Sequence, residues 1–507
     1  MTTQHPLTTI TIDPEDHRGD IDARLFGSFV EHMGRCVYTG IYEPGHPSAD
    51  EAGFRGDVAD LVRELGITVV RYPGGNFVSG YQWQDGIGPQ EQRPRRLDLA
   101  WRSIETNQVG TDEFLRWTAR LGLEPMLAVN LGTAGILDAA HLVEYCNIAG
   151  DTQWSELRKA NGSADPYGVK LWCLGNEMDG PWQTGHMDAD EYGKLALQAA
   201  NAMRLVDPSI ELVACGSSGH QMPTFGYWES TVLEHTFDVV DYVSMHAYYE
   251  EHDGDRASFL ASGAAMDRFI DDVIATADAV AARKHSRKRL RISFDEWNVW
   301  YQGRWAGSDR TDIDVSGPRI EDVYSATDAV VVGDLLISLI NHADRVGVGA
   351  LAQLVNVIAP IMTEPGGAAW RQATFYPIAE TIRYGRDSRS LVTRVAGGEL
   401  ATARHGDVPL VAAAATHRTQ AGEVAMFLTN RGDEPAPVEI RHERLGDWAD
   451  ARAVTIVGDD RGPLQGASAA ATARPVEHEA PKSAGGSTRL TLPPQSWTAV
   501  TATAAAG

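Results

Sequence analysis

Cysteine is scarce in this chain, and its scarcity excludes two kinds of scaffold. Cys36, Cys146, Cys173 and Cys215 are scattered through 507 residues without CxxC spacing, so neither a disulfide framework nor a zinc site is expected. Positive charge is also short. The 44 Lys and Arg stand against 69 Asp and Glu, a formal net charge of −25. That field repels phosphate backbones and anionic bilayers, which argues against nucleic acid or a membrane as partner and favours a neutral ligand. No apolar run reaches the roughly 18 residues that would span a bilayer. Met1–Ile10 lacks a basic stretch followed by an apolar one, so it does not read as a secretory signal and the cytoplasm is the expected compartment. The sequon at Asn161 would then stay unmodified. There is no HExxH motif, no GxSxG elbow at a strand end and no internal repeat, and the Gly74-Gly75 pair lacks dinucleotide-turn spacing. Cys36 and Cys173 are therefore not expected as nucleophiles, and no cofactor or metal is expected.

What the chain does have is alternation. Short apolar runs occur at Ala23–Glu31, Thr68–Pro73, Pro125–Leu131, Lys170–Glu177, Glu211–Ser217, Asp241–Tyr249, Leu290–Trp297 and Gly349–Asn356. Most are rich in Val, Leu, Ile or aromatics, as buried parallel strands are. Helical patterns lie between them: Asp57–Leu65, Thr111–Leu121 with Thr111 as its expected N-cap, Asp188–Leu205 and Asp322–Ile340, with Phe375–Tyr384 closing the series. Eight strand-then-helix units predict an α/β fold, a (β/α)8 TIM barrel over residues 20–384. Beyond residue 385 the helical period fades. Leu410–Ala415, Glu423–Leu428, Ala436–Arg441, Ala453–Val457, Arg489–Leu492 and Thr498–Thr501 read as strands of a C-terminal antiparallel β-sandwich over residues 385–507. Gly462–Ser487 reads as an exposed loop within it. The alternating Leu7–Ile12 segment, in an N-terminal piece of residues 1–19, is expected to add a strand to that sandwich.

Barrel chemistry gathers at the C-terminal strand ends. Those ends carry Glu31-His32, Arg71 to Asn76, Asn130, Asn176-Glu177, His246 to Tyr248, Asp295 to Asn298 and Gln353 to Asn356. A lone glutamate there is more often an ion-pair partner. Two of them, on strands four and seven, can face each other as the carboxyl pair of a retaining glycosidase, about 5–5.5 Å apart. Amides and tyrosines suit sugar hydroxyls, and Trp101, Trp297, Trp300 and Trp305 are candidate platforms, although tryptophan is more often core. His246 alone reads as a satisfied core histidine. His32, His186, His220 and His246 lack metal-ligand spacing.

These residues resemble a known family. RLFGSFVEHMGRCVYTGIYEPGH (Arg24–His46), VVRYPGGNFVSGYQWQDGIGP (Val69–Pro89), WCLGNEMDGPWQTGH (Trp172–His186), FDEWNVWY (Phe294–Tyr301) and LPPQSWTAV (Leu492–Val500) look like glycoside hydrolase family 51 α-L-arabinofuranosidases. The resemblance implies a barrel plus sandwich, retention of configuration and no cofactor. It implies an exo-acting enzyme on terminal α-L-arabinofuranosyl groups of arabinan, arabinoxylan or their oligosaccharides. It makes Glu177 the acid/base and Glu296 the nucleophile. It puts Glu31, Asn76, Asn176, Tyr248 and Gln353 on the sugar, with Trp101 and Trp300 shaping the pocket. It also implies a homo-oligomer, often a hexamer. The rivals are a β-xylosidase or endoglucanase using the same pair, and a binding module without catalysis. The linkage cleaved is not legible in these motifs.

Overall fold

Burial on both faces decides the centre of the molecule. In the computed structural model, which describes residues 6–305, 313–459, 464–465, 474–478 and 481–504, eight parallel strands close into a barrel in sequence order. They are β1 (Gly27–Phe29), β2 (Val69–Tyr72), β3 (Glu124–Ala128), β4 (Leu171–Cys173), β5 (Glu211–Ala214), β6 (Tyr242–Tyr249), β7 (Arg291–Val299) and β8 (Val346–Leu351). The seam is the pairing of Ala350 and Leu351 with Gly27 and Ser28. Gly27 is required there, because a Cβ would lie 2.7 Å from the Gly349 carbonyl on the next strand. Val69, Met126, Leu171, Val213, Tyr242 and Val348 form one apolar cluster. With members from six of the eight strands, it fills the barrel interior as a packed core.

All eight expected strands are present, with shifted ends. Lys170–Glu177 contracts to Leu171–Cys173, β6 ends at Tyr249 as expected, and β7 runs on past Trp297 to Val299. Glu296 is therefore inside a strand rather than at its end, paired across to His246 after a register shift between Ser244 and His246. The helix at Thr111–Leu121 forms, but Gly110 is its N-cap, and the Gly110 N–H donates to the Glu113 carboxylate at 3.0 Å. A side chain at Gly110 would collide with the Gly86 carbonyl, so packing, not cap preference, chose the residue. The later helix starts at Ala326 rather than Asp322, with Ser325 as N-cap accepting from Asp328 N–H.

That helix, Ala326–Asn341, is buried along nearly its whole length, because it lies between the barrel and two packed sheets. One sheet has seven strands, including Val411–Arg418, Glu423–Asn430, Ser496–Ala504 and Trp448–Val457. Its strand Glu423–Asn430 alternates in allegiance. Val424, Met426 and Leu428 enter the sandwich core, while Ala425 and Phe427 join the barrel's cluster, as a two-residue period demands. The second sheet has five strands. Thr8–Thr11 lies in it, antiparallel to Arg394–Ala396 and parallel to the strand Ala436–Arg441; the sandwich thus contains one parallel pair. Of the expected loop Gly462–Ser487, residues 462–463, 466–473 and 479–480 lie outside the described residues. Its described parts are largely strand: Leu464–Gln465, Val476–His478 and Ser483–Ala484. The junction is clamped by Arg431, which donates through Nη2 to Asp334 Oδ2 at 2.8 Å with both side chains buried. Among the described residues no helix is long and apolar enough to cross a membrane.

Candidate active site

The barrel mouth collects four carboxyls and two cations. Glu31, Glu177, Asp295 and Glu296 are all buried, as are Arg71 and His246. The surrounding chain explains each position. β2 delivers Arg71 from an otherwise apolar run. β4 ends at Cys173 and turns through Gly175 at φ 96° and Glu177 at φ 42°. The left-handed conformation costs a non-glycine residue about 1–2 kcal/mol. Such strain is characteristic of functional sites, and here it turns the carboxyl towards His246. The extended β6 and β7 carry His246, Tyr248, Asp295 and Glu296.

Glu296 is held from both sides. Arg71 Nη1 donates to its Oε1 at 2.7 Å and the Tyr248 hydroxyl donates to its Oε2 at 2.8 Å. Arg71 Nη2 donates to Asn176 Oδ1 at 2.7 Å, and Asn176 Nδ2 donates to Asn76 Oδ1 at 3.3 Å and Gln183 Oε1 at 3.2 Å. Glu177 Oε1 lies 2.9 Å from His246 Nδ1, and its Oε2 accepts from Trp182 Nε1 at 2.6 Å. One oxygen of Glu177, one of Glu296 and one nitrogen of His246 all lie within 4.8 Å of one another. Burial disfavours a charged imidazole, but Glu296, Asp295 and Glu177 outweigh it and push His246 up to about 10. Opposite charges therefore face each other across this convergence of Glu177, His246 and Glu296. Asp295 is buried too, yet Arg71, His246 and Ser244 hold its carboxyl below the usual range.

Glu31 forms the opposite wall. Its Oε1 accepts from Phe77 N–H at 3.0 Å and Trp101 Nε1 at 2.9 Å, and its Oε2 accepts from Gln353 Nε2 at 3.0 Å. Burial, with Glu296 adding repulsion, pushes Glu31 up to about 8, so it is mostly neutral at pH 7 and can donate as well as accept. Trp300 stands edge-on to Tyr248 at 5.0 Å. Trp300 Nε1 and Gln353 Oε1 are buried without a hydrogen-bond partner among the described residues, which suits groups that meet a ligand.

The structure thus brings Glu31, Asn76, Trp101, Asn176, Glu177, Tyr248, Glu296, Trp300 and Gln353 to one mouth. Trp297 is not a platform: at 2% exposure it belongs to the core, because its side chain points outward from β7 while Glu296 points in. Trp305 reaches only the edge of Trp101, at 6.2 Å. Asn130 ties its own loop through Tyr81 O and Thr133. Of the four histidines considered, only His246 meets the glutamates. His32 pairs with Glu105, His220 with Asp272, and His186 accompanies Gln183. Sequence reasoning gave no role to Arg71, Trp182 or Gln183. A charged residue in the apolar run Val69–Pro73 was a usable signal for the first, since a buried guanidinium needs carboxylate partners.

Residues 61–263 match the family model described as the α-L-arabinofuranosidase 1 domain, and residues 295–496 match that of the α-L-arabinofuranosidase C-terminal domain. The chain is 56% identical over 440 residues to the intracellular exo-α-(1→5)-L-arabinofuranosidase of Streptomyces lividans, covering 85% of this chain and 65% of that protein, just under two thirds of its length. It is 52% identical to the exo-α-(1→6)-L-arabinofuranosidase of Bifidobacterium longum, covering 97% of this chain and 96% of that one. The solved structure of a family 51 α-L-arabinofuranosidase from Bifidobacterium longum superimposes with a TM-score of 0.91 at 45% identity, covering 98% of this chain and 99% of that one.

Proposed function

Because this chain belongs to the family 51 α-L-arabinofuranosidases of the glycoside hydrolases, we propose that it is a retaining, exo-acting enzyme that removes terminal α-L-arabinofuranosyl groups. The observation that carries the mechanism is the approach of Glu177 and Glu296 to within 4.8 Å, oxygen to oxygen. That spacing suits the roughly 5–5.5 Å of retaining pairs and leaves no room for the water an inverting pair needs. Glu296, held by Arg71 and Tyr248, attacks the anomeric carbon while Glu177 protonates the departing oxygen. A covalent arabinosyl-enzyme results. Glu177, now a carboxylate, takes a proton from water, which attacks the same carbon and releases arabinose. Glu31, Asn76, Asn176 and Gln353 receive the ring hydroxyls, and Trp101 and Trp300 bound the pocket.

This reading assigns catalysis to residues 20–384 and leaves residues 1–19 and 385–507 to the sandwich. Arabinan, arabinoxylan and their oligosaccharides are the proposed substrates, in the cytoplasm, as the name of the intracellular Streptomyces relative supports. A homo-oligomer is part of the same proposal. Relatives named for (1→5) and (1→6) linkages are 56% and 52% identical to the chain, so overall similarity does not choose the linkage.

Azide separates the two glutamates. Glu177→Ala on nitrophenyl arabinofuranoside should accumulate the covalent intermediate, with a burst of nitrophenol, and azide should accelerate turnover to an arabinosyl azide of retained configuration. Glu296→Ala, losing on the order of 10⁴-fold or more in turnover, should give the inverted azide. The same configuration from both variants, or an exchange of the two, overturns the assignment.

A further inference from the structure

Trp182 rests on the acid/base glutamate although half of it faces solvent. Its Nε1–H donates to Glu177 Oε2 at 2.6 Å, while the residue is 52% exposed. The turn that carries it is built to bring it there. Gly180 N–H donates to the Glu177 carbonyl and Gln183 N–H to the Gly180 carbonyl, each at 2.9 Å. A Cβ on Gly180 would lie 2.5 Å from the indole Cε2, so only glycine lets the ring fold back. The next residue, Gln183, is buried, and its Nε2 donates to Ser79 Oγ at 2.6 Å. The base of the turn is thereby fixed while the indole stays at the rim.

We propose, resting on the acid/base reading of Glu177, that Trp182 is a positioning residue with two separable duties. Its N–H fixes the Glu177 carboxyl towards the departing oxygen, and its exposed ring face is the platform for the leaving sugar. The first duty follows from the hydrogen bonds. His246 occupies one oxygen of Glu177 and Trp182 the other, so the carboxyl plane is held from two elements. As the glycosidic C–O bond breaks, the proton passes from Glu177 to the leaving oxygen and Glu296 bonds to the anomeric carbon. The indole keeps its own proton, and its bond to Glu177 becomes charge-assisted as the carboxylate forms, which strengthens it. The second duty follows from reach. The oxygen being protonated must come within about 2.6–3.2 Å of the Glu177 carboxyl. A sugar at that position borders a ring whose nitrogen lies 2.6 Å from the same carboxyl.

The test compares Trp182→Phe, Trp182→Ala and Glu177→Ala on an arabino-oligosaccharide, whose leaving group needs a proton, and on dinitrophenyl arabinofuranoside, whose leaving group does not. Trp182→Phe removes the N–H and keeps a ring. Its kcat on the oligosaccharide should fall about tenfold, the loss of one hydrogen bond to a charged group, with KM unchanged and with a change of under about twofold in the rate of the dinitrophenol burst, which reports the first step alone. Trp182→Ala should add a rise in KM of about fivefold on the oligosaccharide alone. Equal losses in the first step on both substrates, or none, in Trp182→Phe overturn the positioning role. Identical KM values in the Phe and Ala variants overturn the platform. If Glu177→Ala discriminates between the leaving groups while Trp182→Phe does not, the proposal fails and the acid/base reading stands. If Glu177→Ala does not discriminate either, both fall.

Discussion

Arg71 at the barrel mouth and Arg431 at the junction are both buried guanidiniums facing carboxylates, but they close their surroundings differently. Arg431 meets Asp334 one to one, donating from Nε and Nη2, and gives Nη1 to the Pro409 carbonyl at 3.1 Å. Asp334 also accepts from Gly263 N–H at 2.9 Å. Charge is matched and every partner is protein. Arg71 instead divides itself among Glu296, Asn176 and Asp295. Together with His246 it faces four acids, and burial pushes one of them, Glu31, up to about 8. The mouth aims the Glu296 carboxylate at a sugar ring that becomes positive as its bond breaks. The same pair of residue types thus clamps in one place and stays electrostatically open in the other.

The contrast can be broken by removing each cation. Arg71→Met should lower kcat by about 10²–10³-fold, the cost of a lost preorganised donor, and should also lower the melting temperature by exposing Asp295 and Glu296 to each other. Arg431→Met should leave kinetics per folded molecule unchanged while shifting the urea midpoint by an amount equivalent to about 3–5 kcal/mol, because Asp334 is left buried and unpaired. Combining it with Asp334→Leu should recover much of that loss. A changed kcat in Arg431→Met would erase the distinction.

A smaller effect sharpens it. Glu31 is raised from 4.5 to about 8 in the folded protein. Between those values the folded state holds a proton that the unfolded state has released, so stability falls as pH rises through that window. Glu31→Gln has no such proton, and its melting temperature should decline less from pH 5 to pH 8 than that of the parent. Parallel curves would mean that the mouth does not hold Glu31 neutral. The smallest expected effect is none. The mouth supplies its own cations, so prolonged chelation should leave the rate on an aryl arabinofuranoside unaltered. Loss of activity restored by one divalent ion would place Glu177, His246 and Glu296 in a different chemistry.

Sequence made the barrel legible because strands buried on both faces must be short and apolar, and eight such runs survive even where their ends are misjudged. The ends were harder, since they depend on neighbours distant in sequence. Nothing local to Asp295-Glu296-Trp297 tells that β7 continues to Val299, because that length is set by pairing with β6. Gly110 displaced Thr111 as a cap through contact with Gly86, 24 positions earlier in the chain. His246 looked like a core histidine, and it is buried; its meaning came from two glutamates on other strands. Gly462–Ser487 read as loop because Ala, Ser, Gly and Pro dominate it, while its short described strands are held by partners such as Asp322–Val323 and Trp448–Val457.

The pairing of Thr8 with Val438 has a consequence for biogenesis. At a synthesis rate of about 5–20 residues per second, Thr8–Thr11 leaves the ribosome roughly 20–90 s before its parallel neighbour exists. The barrel strands all precede that neighbour, so the barrel can collapse while its first β-segment still waits, alternating and unsatisfied, as an open edge. A truncation that stopped after the last barrel helix would make that wait permanent. It would also strip the cover from Ala326–Asn341, which is buried almost all round. The sandwich is thus the last act of maturation: it captures the start of the chain, and the fragment most tempting to express alone is the one most exposed to aggregation.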